Sequence, residues 1–351
     1  MIVMIFHTDQ FSSYFGLEPY GFYKTKMQSY AVILFFVLSG FLITWLLVKE
    51  KEKQGKINVR NFYMRRILRT WPLYYAVLMI GILLLFFMPG QIYQGVKHNL
   101  LITALAYGFL VPNIASFFGY APDLISVLWS VGAEEQFYAF WPMLVNNAKK
   151  LLDRIAGFLL IYLALKYLLT WLQIPYKAQS LMSYMPFDCM AIGGIAACLY
   201  HSNSKALQVV YHPAMQVLAW AFLLVSVFYR PVHVPLAGML NTDIHAIIYA
   251  ILILNVSTNK KTLVRLENKV LNFLGKVSYG IYGYHFIVLF LLSLWLKNTL
   301  PNLSNTAAHA IMFTGVIGST IFIAWLSHRY FEAWFIKRKF QFGGSYSAAH
   351  Q

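Results

Sequence analysis

Titratable side chains are scarce in this chain, and four groups of them stand within or beside long apolar runs. A charge in hydrocarbon is costly, so each is a candidate for chemistry until a structural partner accounts for it. His7 closes the apolar stretch Met1-Ile-Val-Met-Ile-Phe6. An imidazole titrates near neutrality and can take the proton from an attacking hydroxyl, which makes His7 a candidate general base. The plainer reading is a helix-end histidine in the membrane interface. Glu134 and Glu135 stand together in Leu128-Trp-Ser-Val-Gly-Ala-Glu-Glu-Gln-Phe-Tyr-Ala-Phe-Trp-Pro142. Neighbours on a helix point about 100° apart, so one carboxylate can meet an Arg of another helix while the other orients a histidine or shares its proton.

The third group is Arg65, Arg66 and Arg69, in Phe62-Tyr-Met-Arg-Arg-Ile-Leu-Arg-Thr-Trp-Pro72. Spacings of three and four place Arg69 on one helical face with each of the other two. The cluster reads either as a topology anchor on lipid phosphates or as a clamp for a phosphorylated cytosolic ligand, because guanidinium forks match phosphate oxygens. The fourth is Gly275-Lys-Val-Ser-Tyr-Gly-Ile-Tyr-Gly-Tyr-His285, where Ser278, Tyr282 and His285 share a helical face. A hydrogen-bonded packing seam and a polar cavity explain them equally, and spacing alone does not make His285 catalytic. None of the four has the pattern of a metal site, a phosphate-cradling Gly loop or a nucleophile elbow, so no metal is expected.

The elements that must position these groups are membrane helices. Of 351 residues 59% are hydrophobic and only 11% charged, too few charges to coat a soluble globule of this size. The fold class is all-α: a polytopic transmembrane helix bundle with about ten spans, near 31–48, 71–88, 99–118, 127–145, 156–173, 184–200, 213–229, 243–256, 277–296 and 307–328. A stub at 1–7 precedes them and reads as the last turns of a truncated first helix. The formal charge of +16 does not point to nucleic acid, because the Lys and Arg residues fall in short segments between spans. Eight of them occupy a predicted loop at 49–70; others are Lys149, Lys150 and Arg154, Lys205, Lys260 to Lys269, and Arg329 to Lys339. These segments are predicted to be cytoplasmic, and the charge-poor loops 8–30, 90–98, 174–183 and 230–242 to face outward. Both 49–70 and 146–154 can lie inside only if an even number of spans separates them. Segment 99–118, with Gly108, Pro112 and Asn113, is therefore predicted to be re-entrant; the other possibility is that the basic residues at 149–154 break the charge bias. Cys189 and Cys198, nine apart in one apolar segment, form neither a disulfide framework nor a four-ligand site. Residues 1–340 read as a single membrane-embedded domain and 341–351 as a short polar tail.

Taken in order, these blocks resemble the bacterial membrane acyltransferase family often called acyltransferase 3, which includes O-acetyltransferases of surface polysaccharides. The resemblance runs from His7 to Glu332. It rests on His7, on Leu34-Phe-Phe-Val-Leu-Ser-Gly-Phe-Leu-Ile43, on Arg-Arg-Ile-Leu-Arg-Thr-Trp-Pro, on Leu128 to Pro142 and on Gly275 to His285. Asp188 with Gly193-Gly194, and Glu332, fit weaker blocks. The resemblance implies transfer of an acyl group, acetyl in the first instance, from cytosolic acyl-CoA to a hydroxyl of a glycan or lipid-linked saccharide, in the bacterial cytoplasmic membrane and in contact with its lipid. It gives His7 the catalytic role, Arg65, Arg66 and Arg69 the donor-handling role, and Glu134 a supporting role, holding the imidazole's second nitrogen. Two departures stand out. The family's Arg about three turns before the first-helix His would precede Met1, which suggests an upstream start or a truncated, inactive homologue, and Phe187 stands where the family has an Arg. A transporter of a glycan or acyl precursor is the rival class, since intramembrane charges and broken spans also mark substrate pathways. Oligomeric state and acceptor are not legible.

Overall fold

The structure, a computed structural model, describes residues 1–22, 27–88, 99–147, 150–172, 181–229 and 241–343. Among these residues all regular structure is helical. The principal helices are α1 (Ile2–Gln10), α2 (Met27–Gln54), α3 (Val59–Phe87), α4 (Leu100–Gly108), α5 (Pro112–Phe117), α6 (Leu128–Asn146), α7 (Leu151–Trp171), α8 (Phe187–His201), α9 (Pro213–Leu224), α10 (Asn241–Thr258), α11 (Lys269–Leu296) and α12 (Asn305–Leu326).

Helices coincide with all ten apolar runs, but four stretches among the described residues are long and apolar enough to cross a membrane: Gln28–Gln54, Val59–Phe87, Lys269–Leu296 and Asn305–Phe342. These four do not confirm the expected count of about ten. With 15 residues, α8 rises only about 22 Å at 1.5 Å per residue, less than the roughly 30 Å of a hydrocarbon core. The buried or half-buried charges Glu134, Glu135, Lys166 and Asp243 lie within α6, α7 and α10. Segment 99–118 is broken, as its Gly and Pro suggest. The chain leaves α4 at Gly108, takes a positive φ of 60° at Leu110, and restarts with Pro112 in the first turn of α5. Tyr74 and Tyr75 of α3 donate hydroxyl hydrogen bonds to the carbonyls of Tyr107 and Gly108, satisfying acceptors that the break exposes.

The predicted loop 49–70 is a correction. Helix α2 runs on to Gln54 and α3 begins at Val59, leaving a turn of only four residues, and Arg65, Arg66 and Arg69 are helical, as their spacing implied. Lys and Arg are good helix formers, and nothing in their charge ends a helix. Gly55, with φ +71°, does. The predicted outward loop 90–98, most of 174–183, most of 230–242, Lys149, and the tail from 344 on lie outside the described residues.

The chain divides into two compact units, one of residues 1–28, 60–132 and 268–351, the other of 29–59 and 133–267. In the first, α1 packs on α11 and α12 around Met4, Phe15, Val277, Ile281, Leu289, Met312 and Val316. In the second, α8 packs on α7 and α10. There the backbones of α2 and α8 touch: a Cβ on Gly40 would overlap the Met190 carbonyl, and one on Gly193 the Val37 carbonyl. Small residues of this kind let helices approach where apolar surface gives no net drive to associate.

Candidate functional site

Within the first unit the structure brings together His7 and His285, which are 278 residues apart in sequence. Helix α1 presents His7 from an anchored position. Met4 and Phe6 are buried, the Thr8 hydroxyl donates to the Met4 carbonyl, and the buried Asp9 carboxylate accepts the N–H groups of Tyr20 and Gly21. His285 is 1% exposed. Its Nδ1 lies 2.7 Å from the Tyr282 carbonyl oxygen and its Nε2 lies 2.9 Å from Nδ1 of His7.

These two distances set the proton positions. A carbonyl oxygen can only accept, so Nδ1 of His285 carries its hydrogen. The neutral ring then has its lone pair on Nε2, and Nδ1–H of His7 donates to it. His7 is left with a lone pair on Nε2, the form a general base needs. The imidazoles lie nearly parallel, 4° between planes with centroids 5.1 Å apart, and Phe286 packs against His7 at 4.4 Å. His7 is half-buried and His285 enclosed, so the outer ring is the one a reactant can approach. The Tyr282 hydroxyl is tied to Ser130 and to the Val127 carbonyl, at 2.8 and 3.0 Å, which steadies the turn of α11 that carries His285. Ser278, predicted to share this face, is exposed and bonds to the carbonyl of Gly275 in its own helix.

Glu134 lies in the second unit, 6% exposed. Its Oε1 accepts from the Ser39 hydroxyl and from the Tyr138 hydroxyl one helical turn away. The two most specific sequence blocks thus meet, Ser39 from Phe35-Phe-Val-Leu-Ser-Gly40 and Glu134 from the α6 block, and the Gly40–Gly193 approach beside Ser39 fixes where that hydroxyl sits. Glu135, next along α6, is half-buried.

Arg65, Arg66 and Arg69 are half-buried on α3. Nη1 of Arg65 donates to the carbonyls of Phe342 and Gly343 at 3.0 and 2.6 Å. Arg69 stands within electrostatic reach of the buried Glu332, which also accepts from Ser327 at 3.2 Å.

Asp188 belongs to a buried ionic cluster that sequence reading did not assemble. Lys166 of α7 bonds to Asp188 of α8 and, at 3.1 Å, to Asp243 of α10. All three are at most 5% exposed. Phe187 instead joins an aromatic group with Phe137, Phe140 and Tyr162. The cation beside Asp188 is Lys166, and the signal was present: a lone Lys in the otherwise apolar run 156–173 requires a partner. His285 carried the same kind of signal, a histidine deep in an apolar helix, but its partner could not be read from spacing.

A family model described as Acyltransferase domain matches residues 1–329. The peptidoglycan O-acetyltransferase OatA of Listeria monocytogenes is 28% identical over 327 residues, covering 86% of this chain and 50% of that protein. A Staphylococcus aureus protein named "Putative O-acetyltransferase SACOL0978" is 26% identical over 322 residues, with 86% and 52% covered. A Bacillus subtilis protein named "Putative peptidoglycan O-acetyltransferase YrhL" is 26% identical over 324 residues, with 86% and 49% covered. The chain spans about half the length of these curated relatives. No solved structure matches it.

Proposed function

The chain belongs to the Acyltransferase domain family, and from that premise we propose that it is a multi-pass O-acyltransferase of the bacterial cytoplasmic membrane, moving an acetyl group from cytosolic acetyl-CoA to a hydroxyl of a cell-envelope glycan. The observation that carries the reading is the His7–His285 pair, which leaves the lone pair of His7 on Nε2, the nitrogen turned from His285. The names of the relatives, two of them referring to peptidoglycan, support a glycan acceptor.

In the proposed reaction the acceptor hydroxyl attacks the thioester carbonyl as Nε2 of His7 takes its proton. Collapse of the tetrahedral intermediate breaks the C–S bond. The imidazolium returns the proton to the departing thiolate, leaving an ester and free CoA-SH. A stepwise variant has Nε2 attack the thioester first, breaking the C–S bond and expelling CoA thiolate, and hold the acyl group until the hydroxyl attacks it; the N–acyl bond then breaks and the hydroxyl proton neutralises the thiolate. In both, His285 orients the ring and accepts from Nδ1–H, the task that sequence reading gave to Glu134. Glu134 keeps a supporting role through Ser39 and Tyr138, and Arg65, Arg66 and Arg69 are assigned to the donor phosphates.

The test is reconstitution of the full chain in vesicles with radiolabelled acetyl-CoA and a soluble saccharide acceptor, with the product read by mass spectrometry. O-acetylated saccharide is expected from the wild type and not from His7→Ala. Full transfer by His7→Ala defeats the reading. Saccharide uptake without acyl turnover points instead to a transporter.

A further inference from the structure

Beyond the residues matched by the family model, which end at 329, helix α12 continues without a break through Phe342. Its last turn, Lys339–Phe342, returns to the arginine cluster of α3 within the same unit. Both N–H groups of Arg65 Nη1 have main-chain acceptors there, the carbonyls of Phe342 and Gly343. That nitrogen holds the end of the helix in place. The half-buried Lys339 is thereby set within electrostatic reach of Arg65, Arg66 and Arg69. Arg338, next to it, packs at 3.4 Å over the Trp334 ring.

Arg65, Arg66, Arg69 and Lys339 thus form a group of four half-buried cations, the three arginines within electrostatic reach of Lys339, and Glu332 lies within reach of Arg69. Phosphate oxygens suit both the guanidinium fork and the ammonium point charge, so a cluster that offers both kinds of cation side by side matches a phosphorylated ligand. A positive-inside anchor needs only to reach the headgroup layer. It does not need an arginine spent on fixing the backbone that carries another cation.

We propose that the segment Lys339–Gly343 is part of the donor site: Arg65 positions it, and Lys339 joins Arg66 and Arg69 as a third cation on the phosphates of the acyl-CoA. This rests on the acyl-CoA reading above. It changes the role of Arg65 from phosphate ligand to support for Lys339.

The experiment measures initial rates of the full chain in phosphatidylcholine vesicles, with acetyl-CoA and with the phosphate-free donor acetyl-pantetheine, for wild type, Lys339→Arg, Lys339→Ala and Lys339→Glu. Loss of one charge-assisted contact raises KM for acetyl-CoA about tenfold in Lys339→Ala, and charge reversal raises it about a hundredfold in Lys339→Glu. Lys339→Arg stays close to wild type, and the differences vanish with acetyl-pantetheine. An unchanged KM for acetyl-CoA in Lys339→Ala overturns the inference and leaves the acyltransferase reading standing. So does a KM shift that is equal for both donors, or one seen only when phosphatidylglycerol is added, since the cations then serve a lipid headgroup. Where wild type transfers no acetyl group, that reading fails, and direct titration with CoA decides the inference separately: weaker binding by Lys339→Ala supports it, equal or absent binding overturns it.

Discussion

Replacing His285 by alanine removes the acceptor for Nδ1–H of His7. The bond is 2.9 Å long and its acceptor side is 1% exposed, so the orphaned donor is left facing the buried volume that the ring vacates. Leaving a buried donor unpaired costs about 1–3 kcal/mol. The imidazole escapes that cost by moving its proton to Nε2 or by turning, and either change removes the lone pair that attacks. Expressed as a rate, about 1–3 kcal/mol is roughly five- to 150-fold, so kcat of His285→Ala is expected to fall within about that range. His285→Gln, whose Oε1 can accept from His7, should recover about tenfold of the loss. His7→Ala removes the base itself and should cost about 10² to 10⁴. Because His285 acts only through His7, the double variant should be no slower than His7→Ala alone. The assay is single-turnover acetyl transfer in vesicles, with thermal melting of each variant to show that it is folded. Wild-type kcat in His285→Ala, or additive losses in the double variant, would refute the coupling.

Three further outcomes follow from the packing. Gly40→Ala and Gly193→Ala each place a methyl group on a main-chain carbonyl of the facing helix; a loss of about 1–3 kcal/mol, read as earlier melting in detergent, is expected, while Gly55→Ala, with nothing near its Cβ, tests only the backbone strain of a positive φ. Lys166→Met strands Asp188 and Asp243 in the interior and should cost about 3–5 kcal/mol, with most of it regained when both aspartates are also changed to asparagine; a Lys166→Met variant that melts like wild type would show the cluster to be idle. Burial raises the Asp123 carboxyl above its ordinary value, against the lowering effect of the hydrogen bond from Tyr14. A raised carboxyl favours the folded state below the ordinary carboxylate range and loses that advantage as pH climbs through the raised value. Asp123→Asn should therefore melt later than wild type at neutral pH, with the gap closing on acidification, and a pH-independent gap would contradict the assignment.

Much of this protein is written locally. Runs of apolar side chains require helices, because a backbone in hydrocarbon must satisfy its own hydrogen bonds, and α2, α3, α11 and α12 follow from length and hydropathy alone. The break at Gly108–Pro112 is local too, since Pro112 removes a backbone donor and belongs in the first turn of a helix. The block Trp129-Ser-Val-Gly-Ala-Glu134 and the block ending Ser39-Gly40 are recognisable as patterns, and so is the family. What pairs with what is another matter. Loop or helix at 49–70 turned on where Gly55 puts the break, not on charge. His7 could be identified as a candidate base, but its proton position depends on a ring 278 residues away that is itself fixed by the Tyr282 carbonyl. Lys166 announced only that it needed a partner, and α8 and α10 had to pack on either side before Asp188 and Asp243 could be that partner. Arg65 read as a phosphate ligand until the end of α12 came back to occupy it. Sequence determines which groups are too costly to leave unpaired in an apolar chain; only the tertiary structure decides which partner discharges each cost, because hydrogen bonds and ion pairs act over a few ångströms of space and take no account of separation along the chain.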